Sequence, residues 1–361
     1  MVRGTFPGVE SGTILGHEGV GVVEEVGKDV RNLKSGDRVV IPSTIACGSC
    51  SYCRAGYHAQ CDDANPNGSL AGTAFFGGPK PSGPFQGLQA ERARVPFAHV
   101  GLVKLPDEVS DDQAILLSDI FPTGYFGADI AEIEPGDIVA VFGCGPVGLF
   151  AIQSAMHLGA SRVIAVDTVP DRLAMARDLG AEAIDFNIDD PTTAILGLTR
   201  KAGVDRAIDA VGVDAYQADH GPGVLDRSSR QEFDREVEEL KAASGKLAKD
   251  WLPGNAPSQV LQWAVAGLAK AGTLSIIGVY SIDFMGFPIG MAMNKNLTVK
   301  MGNCHHRKYI PRLVELVRSG TVDTLKILTK REPMTSVIEA YKTFAEHKPG
   351  WVKVELDPVT A

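Results

Sequence analysis

The chain of 361 residues is long enough for two domains or three, and with 44% hydrophobic and 22% charged residues it has the make-up of an ordinary globular protein. Lys and Arg total 35 against 44 Asp and Glu, a formal charge of −9, which excludes a phosphate-neutralising surface and with it nucleic acid as a partner. The longest apolar stretch, 138–152, is broken by three glycines and a proline and falls short of the roughly 18 residues of a spanning helix, so no membrane partner is expected. The start, Met1-Val2-Arg3-Gly4, lacks the apolar core of a secretory signal. Four of the six cysteines crowd between Cys47 and Cys61, which suggests a metal in a reducing, cytoplasmic setting rather than a disulfide framework.

In chain order, 19–27 and 37–41 read as short strands, rich in Val and bounded by Gly, Asp and Lys-Ser-Gly turns. A loop-rich stretch follows from 43 to 86, and strand-like segments return over 89–105. From Pro135-Gly136-Asp137 the pattern changes to strand 138–142, helix 147–158, strand 162–167, helix 171–179, strand 183–186 and helix 192–201. Later strands fall at 207–211, 273–279 and 351–356. Such alternation implies βαβ units and a doubly wound parallel sheet, flanked in sequence by pieces of a β-rich domain. The segment 213–258 is longer than an ordinary connection. Within it Phe233, Val237, Leu240 and Leu247 recur near helical spacing, the pattern either of a solvated surface helix or of a lid beside the ligand crevice of the sheet.

Val139-Ala140-Val141-Phe142-Gly143-Cys144-Gly145-Pro146-Val147-Gly148 holds a G-x-G-x-x-G motif between an apolar strand and a helix. Gly143 permits the tight turn, Gly145 lets the backbone approach a pyrophosphate, and Gly148 lets helix and strand pack closely. A second strand ends in Asp167, 19 residues after Gly148, where a ribose 2′-hydroxyl would be bound and a 2′-phosphate repelled. NAD is therefore expected over NADP, with Arg172 as the one nearby cation. Cys144 reads as a small packing residue.

Cys47-x2-Cys50-x2-Cys53-x7-Cys61 places four thiolates in one loop, enough to close a tetrahedral shell around a structural zinc. An iron–sulfur cluster and a zinc-ribbon module are the alternatives. Gly16-His17-Glu18 is a weaker signal, since a lone His is more often packed or solvated. Asp119, after Leu116-Leu117-Ser118, could simply cap the helix that follows. Cys304-His305-His306 tempts a further metal reading, but adjacent His on a strand point to opposite faces, so a solvated or substrate-cleft role is expected instead.

Together the four-cysteine lobe, Gly-His-Glu, Gly-Asp-Arg-Val and the glycine motif resemble, in order and over nearly the whole chain, the zinc-containing medium-chain alcohol dehydrogenase family. Asp119 before Phe-Pro-Thr-Gly, with the long segment after Asp209-Ala210-Val211-Gly212, is similar to its glutathione-independent formaldehyde dehydrogenase branch. The resemblance implies a GroES-like catalytic domain over 1–118, a Rossmann domain over 119–290 and a return to the catalytic domain over 291–361, with the reaction in the cleft between. It implies His17 and Asp119 as catalytic-zinc ligands, Glu18 as a supporting or alternate ligand, and Thr123 beside the nicotinamide. Gly143, Gly145, Pro146, Val147, Gly148, Asp167, Arg172, Val211 and Gly278 would line the NAD site. The family's first zinc ligand is a Cys further upstream than the 16 residues that precede His17 here, and Met1-Val2-Arg3-Gly4 resembles an interior stretch of the branch. The reading is thus of an N-terminally incomplete catalytic domain whose catalytic zinc shell is short of a ligand. The expected activity is NAD-dependent oxidation of small primary alcohols or formaldehyde-like hydrated aldehydes by a dimer or tetramer. The rivals are a zinc-free NAD(P)H reductase and a catalytically impaired cofactor-binding protein.

Overall fold

The computed structural model describes residues 8–68, 72–221, 224, 227–244, 254–281 and 284–358; Met1-Val2-Arg3-Gly4 and Leu247 lie outside these. The chain forms two compact units, one spanning Gly124–Gly302 and the other Gly8–Thr123 together with the chain from Asn303 onward.

In the discontinuous unit, β1 (Gly19–Val22), β2 (Arg38–Ile41) and β3 (Val103–Lys104) form an antiparallel sheet in that order. Most of 89–105, expected to be strand-like, is irregular or the short helix Ala98–Gly101, and only Val103–Lys104 joins the sheet. The unit also contains the capped helix Asp111–Ile115, the helix His306–Arg318 and a parallel pair further along the chain.

The continuous unit carries six strands: β4 (Ile138–Phe142), β5 (Arg162–Asp167), β6 (Glu182–Asp185), β7 (Val204–Asp209), β8 (Leu268–Ile276) and β9 (Thr298–Met301). All neighbours are parallel and the order is β6-β5-β4-β7-β8-β9. Because β9 belongs to this sheet, the unit runs on to Gly302. The helices Pro146–His157, Pro170–Asp178 and Pro191–Leu198 each start on a proline, whose fixed φ and missing N–H suit the first helical position. Val139, Ala140, Val141 and Phe142 are at most 1% exposed, as a strand covered by helices on both faces requires. Burial of each large side chain here contributes about 1.5–3 kcal/mol.

Strand order reverses between β4 and β7, so the turns after these two strands diverge and leave a crevice at their carboxyl ends. The first turn depends on glycine twice. Gly143 has φ +87°, the left-handed region, and a Cβ there would meet Val211 Cγ2 at 2.5 Å. A Cβ on Gly148 would overlap the carbonyl of Gly143, so helix and strand can approach this closely only without one.

In the segment 213–258 the helix Arg227–Ser244 buries Phe233 and Leu240 and exposes its charged face. It helps to wall a cavity of about 760 Å³ with Gln259, Trp263 and Phe287, but none of the residues expected to bind metal or nucleotide lines that cavity. Among the described residues, no helix is long and apolar enough to cross a membrane.

Gly148→Ala is expected to cost about 1–3 kcal/mol, the usual penalty of overpacking, measured by urea unfolding. An unchanged midpoint would mean that the turn opens freely, contrary to the contact with Gly143.

Candidate functional site

His17 follows a left-handed glycine, Gly16, φ +88°. The stretch before it is held by backbone bonds from Gly87 to Ile14, Gln89 to Leu15 and Leu88 to Gly16, at 2.7, 3.0 and 2.8 Å. Asp119 sits between two helices, where its carbonyl accepts the first helical bond from the Thr123 amide at 2.9 Å. Its side chain does something else: Oδ2 lies 3.0 Å from His17 Nε2. One ligand atom from each of His17, Glu18 and Asp119 falls within 4.8 Å of the others. An imidazole with carboxylates is a donor set that zinc accepts. The His17 ring also has a buried Nδ1 with no partner among the described residues, so its hydrogen bonding is incomplete as the chain stands. Glu18 is ion-paired with Lys353, which is itself buried.

The electrostatics follow from these contacts. Burial opposes the charge on Asp119, but the bonds from His17 and His306 hold its carboxyl well below the usual range. Burial likewise opposes protonation of His17; the bond to Asp119 and the charges of Asp119 and Glu18 outweigh it and raise the ring's pKa.

Of two further residues here, one escaped the sequence reading and the other was placed differently by it. Lys353 gave no local signal. His306 was expected to be solvated or to face a substrate cleft, on the assumption of a strand. Instead it opens the helix His306–Arg318, is 3% exposed, and places Nε2 2.6 Å from Asp119 Oδ1. Its neighbour diverges, with His305 Nδ1 accepting from the Ala59 amide at 3.3 Å, so the pair does not chelate. Thr123 also faces this cluster, its Oγ1 donating to Asp119 Oδ1 at 3.1 Å.

The cysteine lobe is built from a one-turn helix, Ser51–Arg54, and a tight turn before Cys61. Cys47 and Cys53 sulfurs are 4.0 Å apart and those of Cys50 and Cys61 3.9 Å. Four sulfurs about 2.3 Å from a zinc ion would stand about 3.8 Å from one another, so the lobe fits the metal with little adjustment. Amides point at the sulfurs: Cys47 Sγ accepts from Ser49 and Cys50 at 3.3 Å, and Cys61 Sγ from Cys47 at 3.2 Å and Ala64 at 3.3 Å. Burial would raise the Cys50 thiol, yet the Cys53 and Asp62 amides bring it down to about 7.

In the sheet unit, Asp167 ends β5 and is 7% exposed. Its Oδ2 accepts from the Cys144 amide at 2.7 Å and its Oδ1 from Thr168 and Val169 at 2.7 and 2.8 Å, with Arg172 Nη1 3.9 Å away. Cys144 is fully buried, the packing role expected of it. Asp209, also fully buried, orders the turn after β7 by accepting from Val211 and Gly212 at 2.8 and 3.0 Å and from the Tyr280 hydroxyl at 2.7 Å. Gly278 packs against Gly212, where a Cβ would collide.

Two family models match the chain: the alcohol dehydrogenase GroES-like domain over residues 1–107 and the zinc-binding dehydrogenase model over residues 146–219. A zinc-type alcohol dehydrogenase-like protein of Bacillus subtilis is 35% identical over 99% of this chain and 89% of its own length. The glutathione-independent formaldehyde dehydrogenase of Pseudomonas aeruginosa is 39% identical over 84% of this chain and 68% of its own. Among solved structures, the alcohol dehydrogenase TADH from Thermus sp. ATN1 superposes with a TM-score of 0.77 at 32% identity, covering 96% of this chain and 85% of that one. The chain belongs to the zinc-type alcohol dehydrogenase family. It is an oxidoreductase with a GroES-like and a Rossmann domain, and Cys47, Cys50, Cys53 and Cys61 form its structural zinc site.

Cys53→Ser is expected to release about one zinc per chain and, because metal binding and folding are coupled, to lower stability by about 4 kcal/mol, the range in which loss of a metal falls. Metal analysis with denaturant unfolding checks both, and full zinc content in the variant would contradict the assignment.

Proposed function

We propose that the chain oxidises small primary alcohols or hydrated aldehydes of the formaldehyde type with NAD⁺. The observation that carries this reading is the convergence of His17, Glu18 and Asp119 in a chain whose other unit bears the glycine turn. The formaldehyde dehydrogenase relative supports the substrate class.

His17 and Asp119 would hold a second zinc ion, with Glu18, already neutralised by Lys353, beside them. Such an ion supplies Lewis acidity that favours loss of a substrate hydroxyl proton. NAD⁺ would supply the two-electron acceptor for the substrate carbon's hydrogen and its bonding pair, and the hydroxyl proton would leave to solvent. An alcohol thus becomes an aldehyde, and a geminal diol a carboxylic acid.

Asp119 is suited to its place because it stays ionised: both oxygens receive N–H donors, and a carboxylate that is hydrogen-bonded in its charged form remains an acceptor. Thr123 stands against Asp119 and is read as packing beside the nicotinamide. On the nucleotide side, the free amides at the start of the helix Pro146–His157 suit a pyrophosphate, with Gly145, Pro146 and Val147 at its edge and Val211 and Gly278 at the neighbouring turns. Asp167 has about four acceptor positions, and three are filled by amides. The remaining one suits a ribose hydroxyl, and the negative charge disfavours a 2′-phosphate; NAD is therefore favoured.

His17→Ala should abolish oxidation of formaldehyde and simple alcohols, followed as NADH absorbance, while NAD⁺ binding persists; retained turnover would refute the reading. Asp167→Ser should weaken NAD⁺ binding about 10-fold to 100-fold, the loss of one charge-assisted hydrogen bond of about 1.5–3 kcal/mol, and narrow the gap to NADP⁺. Tighter binding of NADP⁺ by the wild type would reverse the cofactor assignment.

A further inference from the structure

We propose that His306 is a positioning residue for Asp119: it occupies one carboxylate oxygen so that the other alone is presented toward His17 and a bound metal ion. The inference rests on the metal reading of His17 and Asp119 given above.

Every polar atom of the imidazole has a fixed partner. Nε2 lies 2.6 Å from Asp119 Oδ1, and Nδ1 lies 3.1 Å from Thr44 Oγ1. An ionised carboxylate can only accept, so Nε2 carries the proton. In the neutral ring Nδ1 is then an acceptor, and the Thr44 hydroxyl donates to it. Thr44 is itself anchored, through a bridge to Phe75 and through the bond from the adjacent Ile45 amide to the Ala74 carbonyl at 2.9 Å. The backbone at His306 is held by its helix, where Tyr309, Ile310 and Leu313 are buried. Ring position is thus set from outside the metal group, and Asp119 itself fixes the proton on Nε2.

The effect falls on Asp119 Oδ1, which takes the His306 N–H and the Thr123 hydroxyl at 3.1 Å. With two donors in place, Oδ1 has no free acceptor position directed at a cation. Oδ2, 3.0 Å from His17 Nε2, is left as the metal-facing atom. A carboxylate restrained in this way offers one oxygen rather than a chelating pair, which leaves room at a metal for substrate. Hydrogen-bonding partners of metal ligands commonly matter by about 10-fold to 100-fold in affinity.

The test uses the full chain with zinc already filling the four-cysteine site, titrated with Co²⁺ and read by visible absorption and chelator competition. The wild type should take up one further Co²⁺. His306→Ala should bind it about 10-fold to 100-fold more weakly and with an altered visible band. His306→Gln, whose amide N–H can reach the same acceptor, should recover most of the affinity. Thr44→Val, which keeps the ring but removes the bond that holds its Nδ1 edge, should fall between them. Thermal unfolding of each variant separates folding from binding. If folded His306→Ala binds Co²⁺ with the wild-type affinity and spectrum, the positioning role is overturned while the metal reading stands. If the wild type takes up no second metal, both are overturned together.

Discussion

An ionised carboxylate largely withdrawn from water persists only where donors replace its lost hydration, and Asp119 meets that condition with side chains from three separate stretches. His17 lies 102 positions before it, His306 187 positions after it, and Thr123 one helical turn on. This tie fixes the relative placement of the first and last parts of the discontinuous unit. It also explains why an acid in such a position is tolerated: removal of one partner of a buried pair leaves a charge uncompensated. Glu18 and Lys353 repeat the arrangement nearby. The group is thereby convergent, with each carboxylate held by a side-chain partner.

The sheet unit obeys a different constraint. Its turn geometry is set by absent side chains at Gly143 and Gly148 and by buried carboxylates at Asp167 and Asp209 that gather backbone amides. Asp167 links two turns, since its oxygens accept both from Cys144 after β4 and from Thr168 and Val169 after β5. One buried carboxylate therefore ties the glycine turn after β4 to the end of β5.

How much of this was legible in the sequence depended on range. The strands β4 to β7 and the helices between them announce themselves in local apolar runs, glycines and prolines, and β5 was read to its observed ends. The four cysteines were equally plain, because all the ligands lie in one loop. His17 and Asp119 were paired by resemblance rather than by pattern, each being ambiguous alone, and their side chains do meet, at 3.0 Å. His306 was misjudged because adjacent histidines were placed on a strand, where alternation would separate them; on the first turn of a helix one of them turns inward. Lys353 could not have been found from its neighbours, since its only distinction is a partner 335 positions away. Segment 89–105 looked like strand but lies mostly outside the sheet, its backbone bonds at Val100 and Leu102 being local ones of the short helix Ala98–Gly101.

The discontinuity of one unit around the other has a consequence for biosynthesis. Translation delivers the whole of Gly124–Gly302 after Asp119 has emerged but before His306 and Lys353 exist as polypeptide. At about 5–20 residues per second, that interval lasts on the order of ten seconds or longer. During it the sheet unit grows strand by strand, β9 last, while Asp119 and Glu18 still lack the partners that His306 and Lys353 later supply. The stretch from Asn303 onward, which carries His306 and Lys353, is therefore the closure that completes the discontinuous unit.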